Sequence, residues 1–186
     1  MKNEKDLLKI KDSGNRKVFK SGAVRDIQKG KGRCDLLPLD VVANLFRYDI
    51  TMDSDKKTFA YSIIKNIDEF KNNNSNIDCL YKVLNDFSKT HYFNMPTMIL
   101  EVSIHFENGA KKYGEYNWQK GIPVNCYIDS AVRHFLKYLR GDNDEPHDNA
   151  FVWNIMCCIW EVTHNDRGNN KRAESKNTEV SDIKLS

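Results

Sequence analysis

Three short stretches between Met98 and Trp160 gather side chains that could move protons, hold a metal or pair with an anion. They are Gly109-Ala-Lys-Lys-Tyr-Gly-Glu-Tyr-Asn-Trp118, Asp129-Ser-Ala-Val-Arg-His134 and Asp144-Glu-Pro-His-Asp148. The acids and imidazoles in and near them include Glu101, His105, Glu115, Asp129, His134, Glu145 and His147; the cations include Lys112, Arg133 and Lys137. Hard ions such as Mg²⁺ take carboxylate and water oxygens, and Mn²⁺ also accepts imidazole. A carboxylate-bound ion beside Lys or Arg is what cleavage of a phosphoanhydride requires. The ion activates water and, with the cations, offsets charge developing on the phosphates. No Ser or Cys has an evident base beside it, which makes covalent catalysis less attractive.

The periodicity predicts helices to position these groups. Met98–Lys112 places Ile99, Leu100, Val102, Ile104 and Phe106 toward a core, while Glu101, His105, Asn108 and Lys112 share another face. A second helix is expected from Asn125, as cap, to about Arg140, with Ile128, Ala131, Val132, Phe135 and Leu139 inward and Asp129, Arg133 and Lys137 on one edge. A third is expected from Pro146 to about Thr163. It is almost entirely apolar from Ala150 to Trp160 except for Asn154, so other helices must surround it. A buried Asn needs hydrogen-bond partners, and Asn154 lies two turns from His147 on one face.

Upstream, Pro38 opens a helix, and Thr51–His91 holds two more helical patterns, Phe59/Ile63/Ile67/Phe70 and Leu80/Val83/Leu84/Phe87. This pair reads as an inserted hairpin serving as packing, a lid or a subunit contact. Ser21–Leu37 carries Gly22, Gly30 and Gly32 among Lys29, Lys31 and Arg33, a cationic loop whose backbone could approach phosphates. No β-hairpin signature is evident. The fold class is therefore all-α: a compact helical bundle at 21–164 with an inserted helical pair at 51–92, a flexible basic arm at 1–20 and a disordered polar tail at 165–186.

With 186 residues and a net charge of +3, the chain suits one core rather than two ordinary domains. Eleven Lys/Arg against four Asp/Glu in Met1–Arg33 make the start basic, leaving nucleic acid as a less favoured partner. The five cysteines form no CxxC pair, so neither a disulfide framework nor a zinc ribbon is indicated. No apolar run reaches the roughly 20 residues of a membrane helix, and no signal-peptide core is present. A cytoplasmic protein is expected. Three helices alone would leave Ala150–Trp160 uncovered, so a homo-oligomer is expected as well.

Four blocks resemble, in order, the dATP/dGTP diphosphohydrolase N-terminal domain family, common in phages and prophages. They are Ser21-Gly-Ala-Val-Arg-Asp…Gly30-Lys-Gly-Arg-Cys-Asp-Leu-Leu-Pro38, Gly109–Trp118, Asp129–His134, and Gly141–His147 with Trp153-Asn154. The resemblance implies metal-dependent hydrolysis of purine deoxynucleoside triphosphates to monophosphate and pyrophosphate. On that reading Glu101, His105, Glu115, Asp129 and Glu145 are candidate ligands for Mg²⁺ or Mn²⁺. Glu115, His134 and His147 are candidate catalytic groups, a histidine suiting proton transfer near neutral pH. Lys31, Arg33, Lys112, Tyr113, Asn117, Trp118, Arg133 and Asn154 are candidates for holding the nucleotide. The alternative is a non-catalytic protein that sequesters a nucleotide or a nucleotide-derived signal with the same cations and aromatics.

Overall fold

A computed structural model describes residues 14–28, 31–73 and 76–180, with side chains as far as 164. Among the described residues six α-helices follow a short hairpin: α1 Leu39–Tyr48, α2 Ser54–Asn72, α3 Asp78–Thr90, α4 Met95–Tyr113, α5 Val124–Arg140 and α6 His147–Val180. The hairpin pairs β1 (Arg16–Val18) with β2 (Val24–Asp26) in antiparallel register, Lys17 opposite Arg25. The all-α expectation holds, and this two-stranded ribbon is the only sheet among the described residues. It corrects the expectation that no hairpin exists, and within the expected arm it places Arg16–Val18 in a strand. With three residues per strand, the alternating pattern that marks a strand is too short to read. Residues 1–13 of the expected arm, Lys29, Gly30 and 181–186 of the expected tail lie outside the described residues.

Local chemistry sets the helix ends. Asp53 caps α2 by accepting from the Lys56 N–H at 2.8 Å, and Asn94 caps α4 by accepting from the Thr97 N–H at 2.9 Å, with Pro96 in its first turn. Gly141 ends α5 in the left-handed conformation, φ 81°, where a Cβ would be strained. The short acidic turn then returns the chain, so α5 and α6 form a hairpin and pack extensively against each other. α6 runs on to Val180, past the end expected near Thr163.

The core joins every helix. Phe59 of α2, Phe87 of α3, Phe135 of α5 and Phe151 of α6 form an aromatic cluster, with ring centroids 4.8 Å apart for Phe87–Phe151 and 5.2 Å for Phe135–Phe151. The α2–α3 pair is thus packing that completes the core. Phe151, Val152, Ile155 and Cys158 are fully buried within one chain, covered by α3, α4, α5 and the turn at Asn117–Gln119. The apolar helix accordingly requires no second copy to cover it.

Candidate active site

Where the hairpin meets α4, α5 and α6, a cavity of about 380 Å³ opens. That volume lies within the roughly 300–1,000 Å³ of small-molecule sites. β2 forms one wall, held there by side-chain bonds to distant elements. Asn117 donates its amide N–H to the Val24 carbonyl and accepts the Val24 N–H, both at 2.8 Å. It pairs with the strand as another strand would. Next along β2, Arg25 donates from Nη2 to Asn154 Oδ1 at 2.7 Å and to Ser130 Oγ at 3.1 Å, joining the hairpin to α6 and α5. Its guanidinium lies over the Tyr127 ring, 5.1 Å from the centroid. Asn154 completes its own bonding by donating to the Ala150 carbonyl at 2.7 Å.

Asp26 ends the strand and accepts from Lys112 Nζ at 2.9 Å, Tyr113 Oη at 2.8 Å and Arg16 Nη1 at 3.0 Å. Burial pushes its carboxyl up, but the hydrogen bonds from Lys112 and Tyr113 and the charges of Lys112 and Arg16 outweigh this and hold it below the usual range. Asp129 has a similar anchoring role beneath the loop that follows. It is completely buried and accepts from the Cys34 N–H at 2.6 Å, from Gln28 Nε2 at 2.7 Å and from Arg133. Its oxygens are occupied by protein donors, which ties the glycine-rich loop to α5.

On the opposite wall, His134 of α5 faces His147 of α6, their Nδ1 atoms 3.0 Å apart. Glu145 brings an oxygen to 3.7 Å and 3.6 Å from those two nitrogens, and His147 Nε2 stands 2.8 Å from Asp144 Oδ1. Burial holds His134 well below its ordinary titration range, and the neighbouring His147 and Arg133 push it further down, so the ring is neutral at pH 7. His105 of α4 is likewise lowered to about 4 by burial. Lys31, Arg133 and Lys137 bring positive charge to the cavity. The Lys31 ammonium is held below its usual range, first by desolvation; Arg133 and Lys112 push the same way against Asp26 and Glu145. Four buried polar atoms without a hydrogen-bond partner belong to side chains that line the cavity: Arg25 Nη1, His105 Nδ1, Arg133 Nε and Trp153 Nε1. At least three of them are N–H donors, so the wall is rich in unmet demand for an acceptor.

The structure sorts the sequence-derived candidates. Lys31, His105, Tyr113, Asn117, Arg133, His134, Glu145 and Asn154 line the cavity, and His147 stands immediately behind His134. Lys112 is tied to Asp26, and Asn117 to the Val24 backbone. Arg33 does not line the cavity and pairs with Asp35 through Nε at 2.6 Å. Glu101 does not line the cavity. Glu115 is exposed and, with Trp118, lines a second cavity of about 420 Å³ that shares Tyr113, Asn117 and Trp153 with the first. The five expected metal ligands are therefore not brought together. Glu145 instead converges with the two histidines. Arg25, Asp26, Gln28, Ser130 and Trp153 also line the site and were not singled out as site residues from sequence. Arg25-Asp26, a charged pair directly after Gly22-Ala-Val within a resembling block, was the available signal.

A family model described as dATP/dGTP diphosphohydrolase, N-terminal, matches residues 81–172, a stretch that includes α4, α5 and the His134–Glu145–His147 group. No curated protein and no solved structure matches the chain.

Proposed function

We propose, for a chain whose residues 81–172 belong to the dATP/dGTP diphosphohydrolase N-terminal family, that the cavity binds a purine nucleoside triphosphate and hydrolyses it. Water attacks the α-phosphorus, the bond from that phosphorus to the bridging oxygen breaks, and pyrophosphate leaves the monophosphate behind. The observation that carries this reading is the juxtaposition within one cavity of Lys31, Arg133 and Lys137 with a histidine–glutamate group. A triphosphate relieves the mutual repulsion of those cations and offers acceptors to the unpartnered N–H donors.

The chain's own residues divide the work. Lys31, Arg133 and Lys137 hold the phosphates, Arg25 closes the inner end, and Tyr113 with Trp118 offers ring faces to the base where the two cavities meet. His134, neutral and buried beside Glu145, His147 and the cations, suits metal ligation more readily than proton storage. A divalent ion there would supply Lewis-acid activation of water and of a phosphoryl oxygen.

The test is incubation with each deoxynucleoside triphosphate, with Mg²⁺ and with Mn²⁺, resolving products by chromatography. Equal amounts of monophosphate and pyrophosphate support hydrolysis. Tight binding with the triphosphate recovered intact establishes the sequestering alternative instead. Failure to bind any nucleotide removes both.

A further inference from the structure

We propose that His134, His147 and Glu145 form a site for one transition-metal ion, with Asp144 as the outer carboxylate that orients His147. This deepens the nucleotide-hydrolase reading, on which only the use of the ion's open positions rests; the ion site itself stands on geometry and is measured without nucleotide.

Three donor atoms already form a triangle. His134 Nδ1 and His147 Nδ1 are 3.0 Å apart, and the nearer Glu145 oxygen is 3.7 Å and 3.6 Å from them. Ligands about 2.1 Å from a common ion stand roughly 3.0 Å apart at octahedral angles and roughly 3.4 Å apart at tetrahedral ones. The observed edges lie within a few tenths of an ångström of those values; because the two Nδ1 atoms face each other, closing on an ion also turns both rings so that their lone pairs converge. His134 sits on α5 while Glu145 and His147 stand at the start of α6, and the short turn between the helices brings the three together.

The ring of His147 is turned for ligation. Its Nε2 stands 2.8 Å from Asp144 Oδ1, where it donates a hydrogen and leaves Nδ1 as a lone pair facing His134 and Glu145. A carboxylate on the far nitrogen is the usual support of a metal-bound imidazole, fixing its tautomer and raising its basicity. Without an ion, His134 Nδ1–H donates to that lone pair. With an ion, His134 carries its proton on Nε2, and both Nδ1 lone pairs turn to the metal. Asp142, Asp144 and His147 also lie close together, but Asp142 accepts from Arg140 Nε at 2.7 Å and Asp144 accepts from His147, so that group reads as the outer layer of one site.

Donor type selects the ion. Mg²⁺ prefers six oxygens and keeps its waters, whereas two imidazole nitrogens and one carboxylate suit Mn²⁺, Fe²⁺, Co²⁺ or Zn²⁺. Three protein ligands leave positions open, and His134 and Glu145 line the cavity that also holds Lys31 and Arg133.

The experiment uses the full chain, stripped with a chelator and free of nucleotide, titrated calorimetrically with Mn²⁺, Co²⁺ and Mg²⁺ and followed by the visible absorption of Co²⁺. The expected result is one transition ion per chain, Mn²⁺ binding at least about tenfold tighter than Mg²⁺, with Glu145→Gln and His134→Asn each weakening Co²⁺ and Mn²⁺ about a hundredfold. Asp144→Asn weakens binding about 10–100-fold while sparing the three ligands. Circular dichroism establishes that each variant keeps its helices, and Glu115→Gln, which is not part of the triangle, retains full affinity. Mg²⁺ binding as tightly as Mn²⁺, no ion bound, or undiminished affinity in folded Glu145→Gln and His134→Asn overturns the proposal. A bound ion with no nucleotide turnover leaves the site in place and removes the hydrolase reading.

Discussion

Asn117 pairs with Val24 as a neighbouring strand would, its side-chain amide satisfying both the N–H and the carbonyl of that residue at 2.8 Å. One side chain from the turn after α4 thereby docks a hairpin 93 residues earlier in the chain. The docking fixes Arg25 and Asp26, the next two residues of β2, in the cavity wall.

Replacing Asn117 by alanine leaves both Val24 backbone groups without partners. A loss of about 1–3 kcal/mol is expected for this, read as a lower denaturant midpoint. Nucleotide affinity falls with it, because the hairpin loses its register on the helices. An unchanged midpoint would show that the hairpin is held by other contacts.

Asp129, an expected metal ligand, is fully buried and accepts from Cys34, Gln28 and Arg133, and we propose that it serves as an anchor. Asp129→Asn removes the charge opposite Arg133 while keeping nearly the same shape. A destabilisation of about 3–5 kcal/mol is expected, as for breaking one side of a buried ion pair. At a temperature where the variant remains folded, its ion stoichiometry matches that of the parent protein. Loss of ion binding from folded Asp129→Asn would restore Asp129 to the ligand set.

Arg25 acts through a planar guanidinium that bonds Ser130 and Asn154 while lying on Tyr127. Lysine keeps the charge but not the fork or the stacking. Calorimetry with a non-hydrolysable triphosphate should show affinity about 10–100-fold lower for Arg25→Lys, equivalent to one or two charged hydrogen bonds. Unaltered affinity would place Arg25 in the scaffold alone.

His105 sets a pH dependence. Its folded value is lowered to about 4 by burial, against about 6.5 unfolded. A depressed value means that the unfolded chain takes up the proton first as pH falls. The stability contributed by keeping this ring neutral is therefore full above pH 6.5 and declines until about pH 4, by up to about 3 kcal/mol. Unfolding free energies measured from pH 7.5 to 4.5 should fall less steeply in His105→Phe than in the parent protein. Parallel slopes would mean that His105 does not contribute.

The helical character of this chain was legible in its residues because amphipathic periodicity is local. Spacings such as Phe59/Ile63/Ile67/Phe70 and the apolar face of α5 are written within single helices, and the tertiary structure buries those same faces. The all-apolar stretch of α6 likewise announced burial, and Asn154 announced a polar partner inside it. The family resemblance was carried by motif blocks and their order, among them Gly109–Trp118, Asp129–His134 and Gly141–His147 with Trp153-Asn154, which lie within the matched stretch 81–172.

The partners of each charged group belonged to the tertiary structure. Whether a carboxylate is an anchor or an available ligand depends on what lies opposite it, often a hundred residues away. Asp129 meets Cys34 and Gln28, Asn154 meets Arg25, and Glu145 meets His134 across the α5–α6 turn. Helical spacing placed Glu101, His105 and Lys112 on one face, but one face turns through several environments: His105 reaches the cavity, Lys112 is spent on Asp26, and Glu101 does not line the cavity. The hairpin was illegible for the same reason. Its short strands have little intrinsic preference and exist because Asn117, Ser130 and Asn154 bind them from elsewhere in the fold.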